Sequence, residues 1–417
     1  MDRRTRLAVS PLEDRRVPAS PTPSAATGTT AAQSAATATA ATPPAAATPT
    51  GPTFLADRGV KPAVTLASVT TTGTASAGAS VTVYDAAYTG GVWSARADVT
   101  GDGIADVVSA PGVGLAPTVK VVSGADGSVA RSFDAYESDF TGGVVLAAVD
   151  LNGDGRADLI TGTDQGGGPR VKVFDGLTNN LLADFYAIDD AAFRGGVRVA
   201  AGDVNGDGVP DIVAAAGYGG GPRVAIWDGK ALLRGVQQRV CADFFAFEPT
   251  LRNGVYPAVG AYNADKYADL LLGAGPGGGP RVIAVSGKAL ASGADPAAAV
   301  AAPLLDFFAG LADDRGGVRV GAVPGATSSS TTAVVNDVLT VGGSGAIGYL
   351  YSGSSRKGVQ TVDREFALAA GLLADATGQK LFAGTTATTT TGTTGSGTTG
   401  TGTTAVPLQQ LLGQFGG

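Results

Sequence analysis

Hydrophobic and polar residues in the middle of this chain alternate in short runs, and the same order of runs returns several times. In one unit the residues at 197–201 alternate, those at 212–215 are continuously apolar, and those at 223–227 and 243–247 form two further apolar runs. Runs of this length, bounded by clusters of Gly, Asp and Asn, are typical of β-strands. The pattern therefore predicts four strands per unit, joined by short turns.

The unit repeats along the chain. A Gly-Val step opens each copy, at intervals of 52 to 63 residues, at Gly91, Gly143, Gly196, Gly254 and Gly317. Turn dipeptides separate the third and fourth strands at Ser123-Gly124, Asp175-Gly176, Asp228-Gly229, Ser286-Gly287 and Ser352-Gly353. Periods near 50 residues are typical of propellers or solenoids, and four antiparallel strands per unit make a propeller blade. We predict an all-β fold, a β-propeller of four-stranded antiparallel blades.

The ring is expected to close through both ends of the repeat region. Strand-like segments at 53–56, 63–67 and 80–84 precede the first full unit, and they match the second, third and fourth strands of a unit that lacks its first. Residues 379–384 can supply the missing strand, which would remove the exposed sheet edges. The sequence thus predicts six blades, with seven as the alternative.

Composition divides the chain into four parts. Residues 1–20 are basic and lack the apolar core of an ordinary secretory signal. Residues 21–51 are almost entirely Ala, Thr, Ser and Pro, which predicts a disordered linker. Residues 386–417 are rich in Thr and Gly and are predicted to be a disordered tail, either plain or carrying O-linked sugars. The predicted propeller therefore spans 52–385.

The turn after the first strand has a spacing typical of a calcium loop. In the third full unit Asp203, Asn205, Asp207, the Val209 carbonyl and Asp211 occupy loop positions 1, 3, 5, 7 and 9. Calcium takes six to eight oxygen ligands, and these oxygens can converge on one ion. The glycines at positions 4 and 6 permit the backbone angles of a tight wrap.

Two more units repeat the loop. Its ligands there would be Asp98, Thr100, Asp102, the Ile104 carbonyl and Asp106, and then Asp150, Asn152, Asp154, the Arg156 carbonyl and Asp158. A fourth copy at 261–269 has Ala261 at position 1 and Lys266 in place of the second glycine, so weak binding or none is expected there. A plain turn is the alternative for one copy, and three copies favour calcium. We expect about three structural ions. An EF-hand is excluded because position 12 holds no Glu.

Composition and charge exclude several classes of function. The chain has 417 residues, a net charge of −7 and a pI near 4.7, so it lacks the basic balance of a nucleic-acid partner. It contains no histidine, which removes the commonest general base. The single Cys241 cannot form an internal disulfide and is interpreted as a small buried hydrophobe. No apolar run is long enough to predict a membrane-spanning helix.

A GGGPRV segment links the second and third strands at 166–171, 219–224 and 277–282. No Gly-Lys-Ser/Thr follows, so these glycines indicate turns rather than a phosphate loop. The three arginines of the motif, Arg170, Arg223 and Arg281, could form a ring for an acidic ligand. The favoured interpretation is that they are solvated or paired with the nearby Asp175 and Asp228. Aromatic pairs on the fourth strands are interpreted as packing between blades: Phe185-Tyr186, Phe244-Phe245 and Phe307-Phe308.

The segments DVTGDGIAD, DLNGDGRAD and DVNGDGVPD, with the Gly-rich run at 273–280, resemble FG-GAP and VCBS repeats, the units of integrin-α-like β-propellers. The resemblance covers about 52–370 and implies calcium in the loop between the first and second strands. The fifth unit departs from it, with a Ser/Thr run where carboxylates are expected. Residues 12–19 resemble the LEDR-x-x-PA segment near the N-termini of planctomycete exported proteins, which implies export.

These observations favour a non-catalytic, calcium-stabilised propeller at the cell surface or outside the cell. We expect it to be a monomer that binds a surface protein or a glycan in adhesion, with calcium as its cofactor. All ligand positions of the loops are filled by protein, so the ions would be structural. The alternatives are an enzyme on a propeller scaffold, such as a polysaccharide lyase or phospholipase, and a purely structural envelope component. Fold does not decide among these.

Overall fold

Six antiparallel sheets follow one another along the chain. The computed structural model describes residues 53–56, 63–69, 75–323, 336–342, 347–351, 357–359 and 364–367. The N-terminal sheet contains β1 (Thr53–Ala56), β2 (Ala63–Val69) and β3 (Ala75–Thr82), paired in that order. The five sheets after it are called blades one to five.

Each blade is a meander in which strands pair in sequence order. Blade one contains β4 (Val92–Ala97), β5 (Asp106–Pro111), β6 (Thr118–Val122) and β7 (Val129–Asp134). Blade two contains β8 (Val144–Val149), β9 (Asp158–Thr163), β10 (Arg170–Phe174) and β11 (Leu181–Tyr186). Blade three contains β12 (Val197–Gly202), β13 (Asp211–Ala216), β14 (Arg223–Trp227) and β15 (Phe244–Phe245).

One short strand links the last two blades. Blade four contains β16 (Val255–Gly260), β17 (Asp269–Ala274), β18 (Arg281–Val285) and β19 (Leu305–Phe308). Blade five contains β20 (Val318–Val323), β21 (Asp337–Gly342), β22 (Ile347–Tyr351) and β24 (Arg364–Ala367). Between its last two strands, β23 (Lys357–Val359) leaves blade five and pairs in parallel with β19 of blade four.

The blades are arranged around their first strands. The first strand of each blade contacts that of the next, from β4 through β8, β12 and β16 to β20. The second strands of blades one to four are buried along their whole length. Burial on both faces explains why these strands are mostly apolar after their first residue, with only Ser109, Thr161 and Thr163 as polar exceptions. This is the predicted β-propeller architecture.

The hydrophobic core lies between blades rather than inside them. One cluster joins blades two and three around Ile160 and Ile212, and another joins blades three and four around Phe244 and Leu272. Cys241 is half-buried against the second of these clusters. Burial raises the pKa of its thiol to about 11, as expected for a packing residue.

Two of the predicted turns are short helices. In blades three and four, Asp228 and Ser286 cap α1 (Gly229–Leu232) and α2 (Gly287–Leu290), and α3 (Pro296–Ala301) follows in blade four. The connections are longer in these blades than in blades one and two. The dipeptides of blades one to four were therefore predicted at the correct places, but the prediction of a plain turn was wrong in blades three and four. Ser352-Gly353 lies outside the described residues.

The predicted N-terminal strands are present as the three-stranded sheet, although the third runs over Ala75–Thr82 instead of the predicted 80–84. Their proposed partner at 379–384 lies outside the described residues, as do the segments 1–20, 21–51 and 386–417. The closure of the ring therefore stays a prediction.

A buried tyrosine joins blades one and two through hydrogen bonds. The hydroxyl group of Tyr136, just after β7, lies 3.0 Å from the Thr161 carbonyl oxygen and 3.1 Å from that of Arg170, both in blade two. Tyr84 occupies the same place before blade one and contacts the carbonyls of Ser109 and Thr118. These hydroxyl groups reach across the boundary where backbone pairing ends.

We expect Tyr136→Phe to lower the free energy of unfolding by about 1–2 kcal/mol, because buried carbonyl groups would lose their donor. Tyr186→Phe is the matched control, since Tyr186 is 62% exposed and its hydroxyl is accessible to water. Urea denaturation of both variants measures the difference. Equal stability of the two variants would contradict this role of Tyr136.

Candidate functional site

The candidate calcium loops each join the first and second strands of a blade. They lie at 98–106, 150–158 and 203–211, with the altered copy at 261–269. In the third loop Gly206 and Gly208 have φ angles of 72° and 87°, a region that disfavours residues with a Cβ atom. The same two positions of the other intact loops also have positive φ. The prediction of a tight glycine-dependent wrap is confirmed.

The carboxylate at the first position holds the loop together. Asp203 accepts hydrogen bonds from the backbone N–H groups of Asp207 at 3.0 Å and Gly208 at 2.9 Å. Asp98 and Asp150 accept from the corresponding backbone groups in their own loops. All three loops therefore fold back on their first residue.

The third and fifth positions continue this inward arrangement. Asn205 Oδ1 accepts from the Asp207 N–H at 2.9 Å, and Asp207 Oδ1 accepts from the Val209 N–H at 3.0 Å. The second loop makes the same two contacts through Asn152 and Asp154. A carbonyl or carboxylate oxygen has two lone pairs, so each of these atoms can accept one N–H and still coordinate an ion.

The donor chemistry of the loops fits calcium. The side chains and carbonyls at positions 1, 3, 5, 7 and 9 supply oxygen ligands, the type that calcium prefers. Within the described ranges, no three Asp, Glu, His or Cys side chains converge as a metal centre. The loop oxygens accept from backbone N–H groups, and their remaining lone pairs are the ones that would coordinate an ion.

A lysine lies beside the third loop. The Lys230 ammonium group is 3.5 Å from Asp207 Oδ2, and both side chains are partly exposed. The sequence gives no direct sign of this contact, because 23 residues separate the pair. The lysine therefore offsets part of the negative charge of Asp207, which a calcium ion would also offset.

The aspartate at the ninth position is a separate structural element. Asp106, Asp158, Asp211 and Asp269 are fully buried at the start of the second strand. Asp106 accepts from the N–H groups of Val99 at 2.9 Å and Thr100 at 2.7 Å, and from Gly124 at 2.9 Å. The other three carboxylates also accept from the loop and from the glycine after the third strand, at Gly176, Gly229 and Gly287.

Steric crowding also requires glycine at these positions. A Cβ atom on Gly229 would lie 1.8 Å from the Pro210 carbonyl oxygen, and one on Gly287 would lie 2.0 Å from that of Ala268. The turn dipeptides predicted from sequence thus bring a backbone N–H to a buried carboxylate at a point where no side chain fits. This role was missed, although the recurrence of glycine was its signal.

Burial changes the acidity of the ninth-position carboxylates. It raises the pKa of Asp211 to about 7 and that of Asp269 to about 6, against the opposing effect of the backbone donors. The pKa of Asp158 is raised for the same reason. A cation beside such a carboxylate would favour its ionised form.

Blade five retains one residue of the pattern. Asp337 begins β21 and pairs in register with Val323, as Asp269 pairs with Gly260 and Asp211 with Gly202. The Ser/Thr run at 328–332 stands where carboxylates were expected, and Asp337 was not predicted from the sequence. Its signal was an Asp directly before an apolar strand, which every blade shares.

The altered fourth loop has exchanged ligands for contacts with its neighbours. Ala261 replaces the first carboxylate, and its N–H donates to Asn336 Oδ1 at 2.6 Å. Lys266, in place of the second glycine, donates through Nζ to the Gly206 carbonyl of the third loop. The loop lacks the first ligand but retains the buried Asp269.

Backbone hydrogen bonds connect successive loops. The N–H at position 8 of one loop donates to the carbonyl at position 1 of the previous loop, from Ala157 to Asp98 at 2.8 Å and from Ala268 to Asp203 at 2.8 Å. Position 8 of the third loop is Pro210, which has no N–H to donate to Asp150. The series is therefore interrupted between blades two and three.

The GGGPRV segments lie at the opposite end of the blades, between the second and third strands. Arg170 forms a two-point ion pair with Asp184 and contacts Glu137 at 2.9 Å. Arg281 does the same with Asp306 and Glu248, while Arg223 pairs with Asp243. Ion pairing was correctly favoured over a free ring of arginines.

The predicted partners of these arginines were wrong. Asp175 instead accepts from the backbone and hydroxyl groups of Thr178, and Asp228 caps α1. Both lie at the far end of the third strand from the arginine that begins it. The true partners come from the adjacent fourth strand and from the segment before the blade.

The aromatic pairs have two different environments. The first members, Phe185, Phe244 and Phe307, are at most 5% exposed and pack in the core as predicted. The second members, Tyr186, Phe245 and Phe308, are 62%, 49% and 41% exposed. Packing between blades was therefore the wrong prediction for the second members, which face solvent beside the arginines.

Comparison with known families agrees with this architecture. Residues 150–214 match the family model described as an FG-GAP-like repeat. The match begins at the second candidate loop and includes the third. The chain is therefore a β-propeller that contains an FG-GAP-like repeat.

Integrin alpha-V from Gallus gallus is 30% identical over 199 residues. The alignment covers 42% of this chain and 19% of the integrin, so the chain spans about a fifth of that relative. The alignment and the family match therefore agree: both describe an FG-GAP repeat region that is integrin-α-like.

Among solved structures, the exotype rhamnogalacturonan lyase YesX is 14% identical, with a TM-score of 0.39 and coverage of 78% of this chain and 64% of the lyase. Sqt1 of Saccharomyces cerevisiae is 13% identical, with a TM-score of 0.43 and coverage of 68% and 65%. Likeness at this level says nothing about activity. In the part of the chain described, no helix has the length and apolarity needed to cross a membrane.

Asp269 should make stability depend on pH in the absence of calcium. Its pKa of about 6 in the folded state exceeds the ordinary value of 3.8, so the native protein binds this proton more tightly than the unfolded chain. The free energy of unfolding should therefore fall by about 2 kcal/mol as pH rises from 4 to 7. The reference is Asp269→Asn, which cannot titrate, measured by urea denaturation in excess chelator. A constant difference between the two proteins across this range would contradict the assignment.

Proposed function

We propose that this chain is an exported, monomeric and non-catalytic β-propeller, stabilised by about three calcium ions, that binds a protein or glycan ligand at the cell surface. The observation that carries the proposal is the threefold recurrence of an oxygen-donor loop at the same hairpin of consecutive blades. Each intact loop combines a first-position carboxylate, two further side-chain ligands, a carbonyl and a buried aspartate.

The role proposed for calcium is structural. Asp203 and Asp207 bring negative charge into one short loop whose ninth residue, Asp211, is also a carboxylate. A bound cation would offset their mutual repulsion and favour the ionised form of the buried group. Its effect is therefore expected on the stability of the hairpin rather than on a reaction.

Similarity to integrin alpha-V supports an adhesive role outside the cell. The aligned part is about a fifth of that protein. We therefore extend to this chain only the repeat architecture and a location at the cell surface. The export signal proposed at 12–19 has the same implication. Adhesion would use the ends of the blades, where connecting segments vary while the strands stay regular.

The non-catalytic character is supported by the charge pairing at the exposed end of the blades. Glu137 and Arg170 are paired, and the backbone N–H of Glu137 and the Arg170 guanidinium lower the pKa of this carboxyl. A general acid requires a carboxyl whose pKa is raised toward neutrality. Asp211 has such a pKa but is fully buried.

The purified protein should contain about three calcium ions per chain after dialysis, and elemental analysis measures them. Asp203→Ala with Asp207→Ala should remove one ion and lower the melting temperature, because two ligands of one loop are lost. Asp265→Ala is the control: it removes the fifth-position carboxylate of the loop whose first position is already Ala261, so both loops then have Ala at positions 1 and 5. Calcium content near zero in the unaltered protein, with no effect of chelator on melting, would overturn the calcium proposal.

Screening on glycan arrays and against envelope extracts should identify a saturable ligand, while polysaccharides and phospholipids should remain intact. The bound ligand should remain uncleaved during prolonged incubation, because no acid–base pair is proposed. Turnover of a polysaccharide that is abolished by one carboxylate change outside the calcium loops would contradict the non-catalytic assignment.

A further inference from the structure

An open cleft of about 400 Å³ lies at the exposed end of blade four. Its lining includes the buried Phe247 and Phe307 and also Leu251. Phe308, which also lines the cleft, is 41% exposed and lies against Gly279. The cleft therefore has an apolar lining and an aromatic ring accessible from solvent.

Three charged groups line the same cleft. Arg281 donates through Nε and Nη2 to Asp306 at 2.9 and 3.1 Å, and through Nη1 to Glu248 at 2.9 Å. The guanidinium group is thus engaged on both of its sides by carboxylates. The set of one cation and two anions has a net charge of −1, and its unused hydrogen-bonding capacity consists mainly of carboxylate lone pairs.

This balance of groups selects the chemistry of a ligand. Carboxylate lone pairs accept hydrogen bonds from hydroxyl groups, whereas they repel an anionic ligand. An exposed aromatic face beside them suits a ring with C–H groups on one side and hydroxyl groups around its edge. The geometry points to a neutral oligosaccharide, seated on Phe308 with its hydroxyl groups donating to Glu248 and Asp306. This inference rests on the proposed binding function and specifies the ligand class.

Neighbouring blades show which features belong to the site. Blade two has the same set, in which Arg170 contacts Asp184 and Glu137 beside the exposed Tyr186. This repetition shows that the aromatic, the arginine and both acids occur together.

Blade three retains the exposed Phe245 and Arg223, but there Asp243 is paired with both Arg223 and Arg239. That carboxylate is therefore covered by two cations. Asp189, at the position of Glu137 and Glu248, is exposed and interacts electrostatically with Arg239. Phe245 thus provides an aromatic ring in the same structural position beside carboxylates that are shared with a second arginine, which makes it the control.

The test uses the full chain with calcium present and with Tyr186→Ala in every protein, so that the blade-two copy does not contribute. Neutral gluco-, galacto-, manno- and xylo-tetrasaccharides are titrated by calorimetry, with tetragalacturonate as the anionic comparison. At least one neutral sugar should bind and tetragalacturonate should not. Phe308→Ala should weaken binding about tenfold, because the stacking face is lost. Phe245→Ala should leave it unchanged.

Glu248→Gln separates charge from shape. Binding of the neutral sugar should become weaker, because one charged acceptor is lost. The difference in affinity between the neutral sugar and tetragalacturonate should become smaller, because one carboxylate that repels the anion becomes an amide. Absence of binding by every neutral sugar, or equal effects of Phe308→Ala and Phe245→Ala, would overturn this inference. If an envelope protein binds instead and Phe308→Ala releases it, the sugar assignment fails while the proposed binding function stands. Failure of both ligand classes would remove the binding function itself.

Discussion

A buried carboxylate at the start of each second strand is the interaction on which the blades depend. Asp106 gathers N–H groups from its loop and from the glycine that follows the third strand, so one side chain fixes a loop and two strands. The group is fully buried, and its loss would leave several backbone donors without an acceptor. The same contact recurs in the next three blades.

This carboxylate explains how some loops can lose ligands without losing their fold. In the fourth blade Ala261 has replaced the first ligand, yet Asp269 still accepts from the Tyr262 and Gly287 N–H groups. The hairpin has a source of stability that does not require an ion. Proposed metal binding and hairpin formation are therefore separable properties of one nine-residue loop, and each can change alone.

The regular parts of the structure could be predicted from sequence because they arise from local rules. Apolar runs and turn glycines define the strands, and loop spacing defines the candidate ligands. The failures involve contacts between distant residues. Arg170 was assigned to Asp175, which is near in sequence, while antiparallel pairing places Asp184 beside it.

One failure was avoidable. Phe185 and Tyr186 are consecutive residues of a strand, so their side chains must point to opposite faces. Only one of the two could pack in the core, and the other had to face solvent. The two-residue period of a strand therefore predicts one exposed ring in each aromatic pair: Tyr186, Phe245 and Phe308.

Pro210 in the third loop changes which contacts hold blades two and three together. Elsewhere the blades are joined at the loop end by a backbone hydrogen bond, which almost any residue can supply. At the boundary of blades two and three, Trp227 and Arg239 instead donate to the Ala187 carbonyl, and the Trp227 ring packs 4.8 Å from that of Phe185. At its loop end this boundary lacks the main-chain bond, and it is held by the hydrophobic cluster around Ile160 and Ile212, by backbone bonds at the opposite end and by these two side chains. A substitution at Trp227 is therefore expected to weaken this boundary, because no backbone bond at the loop end compensates for the loss.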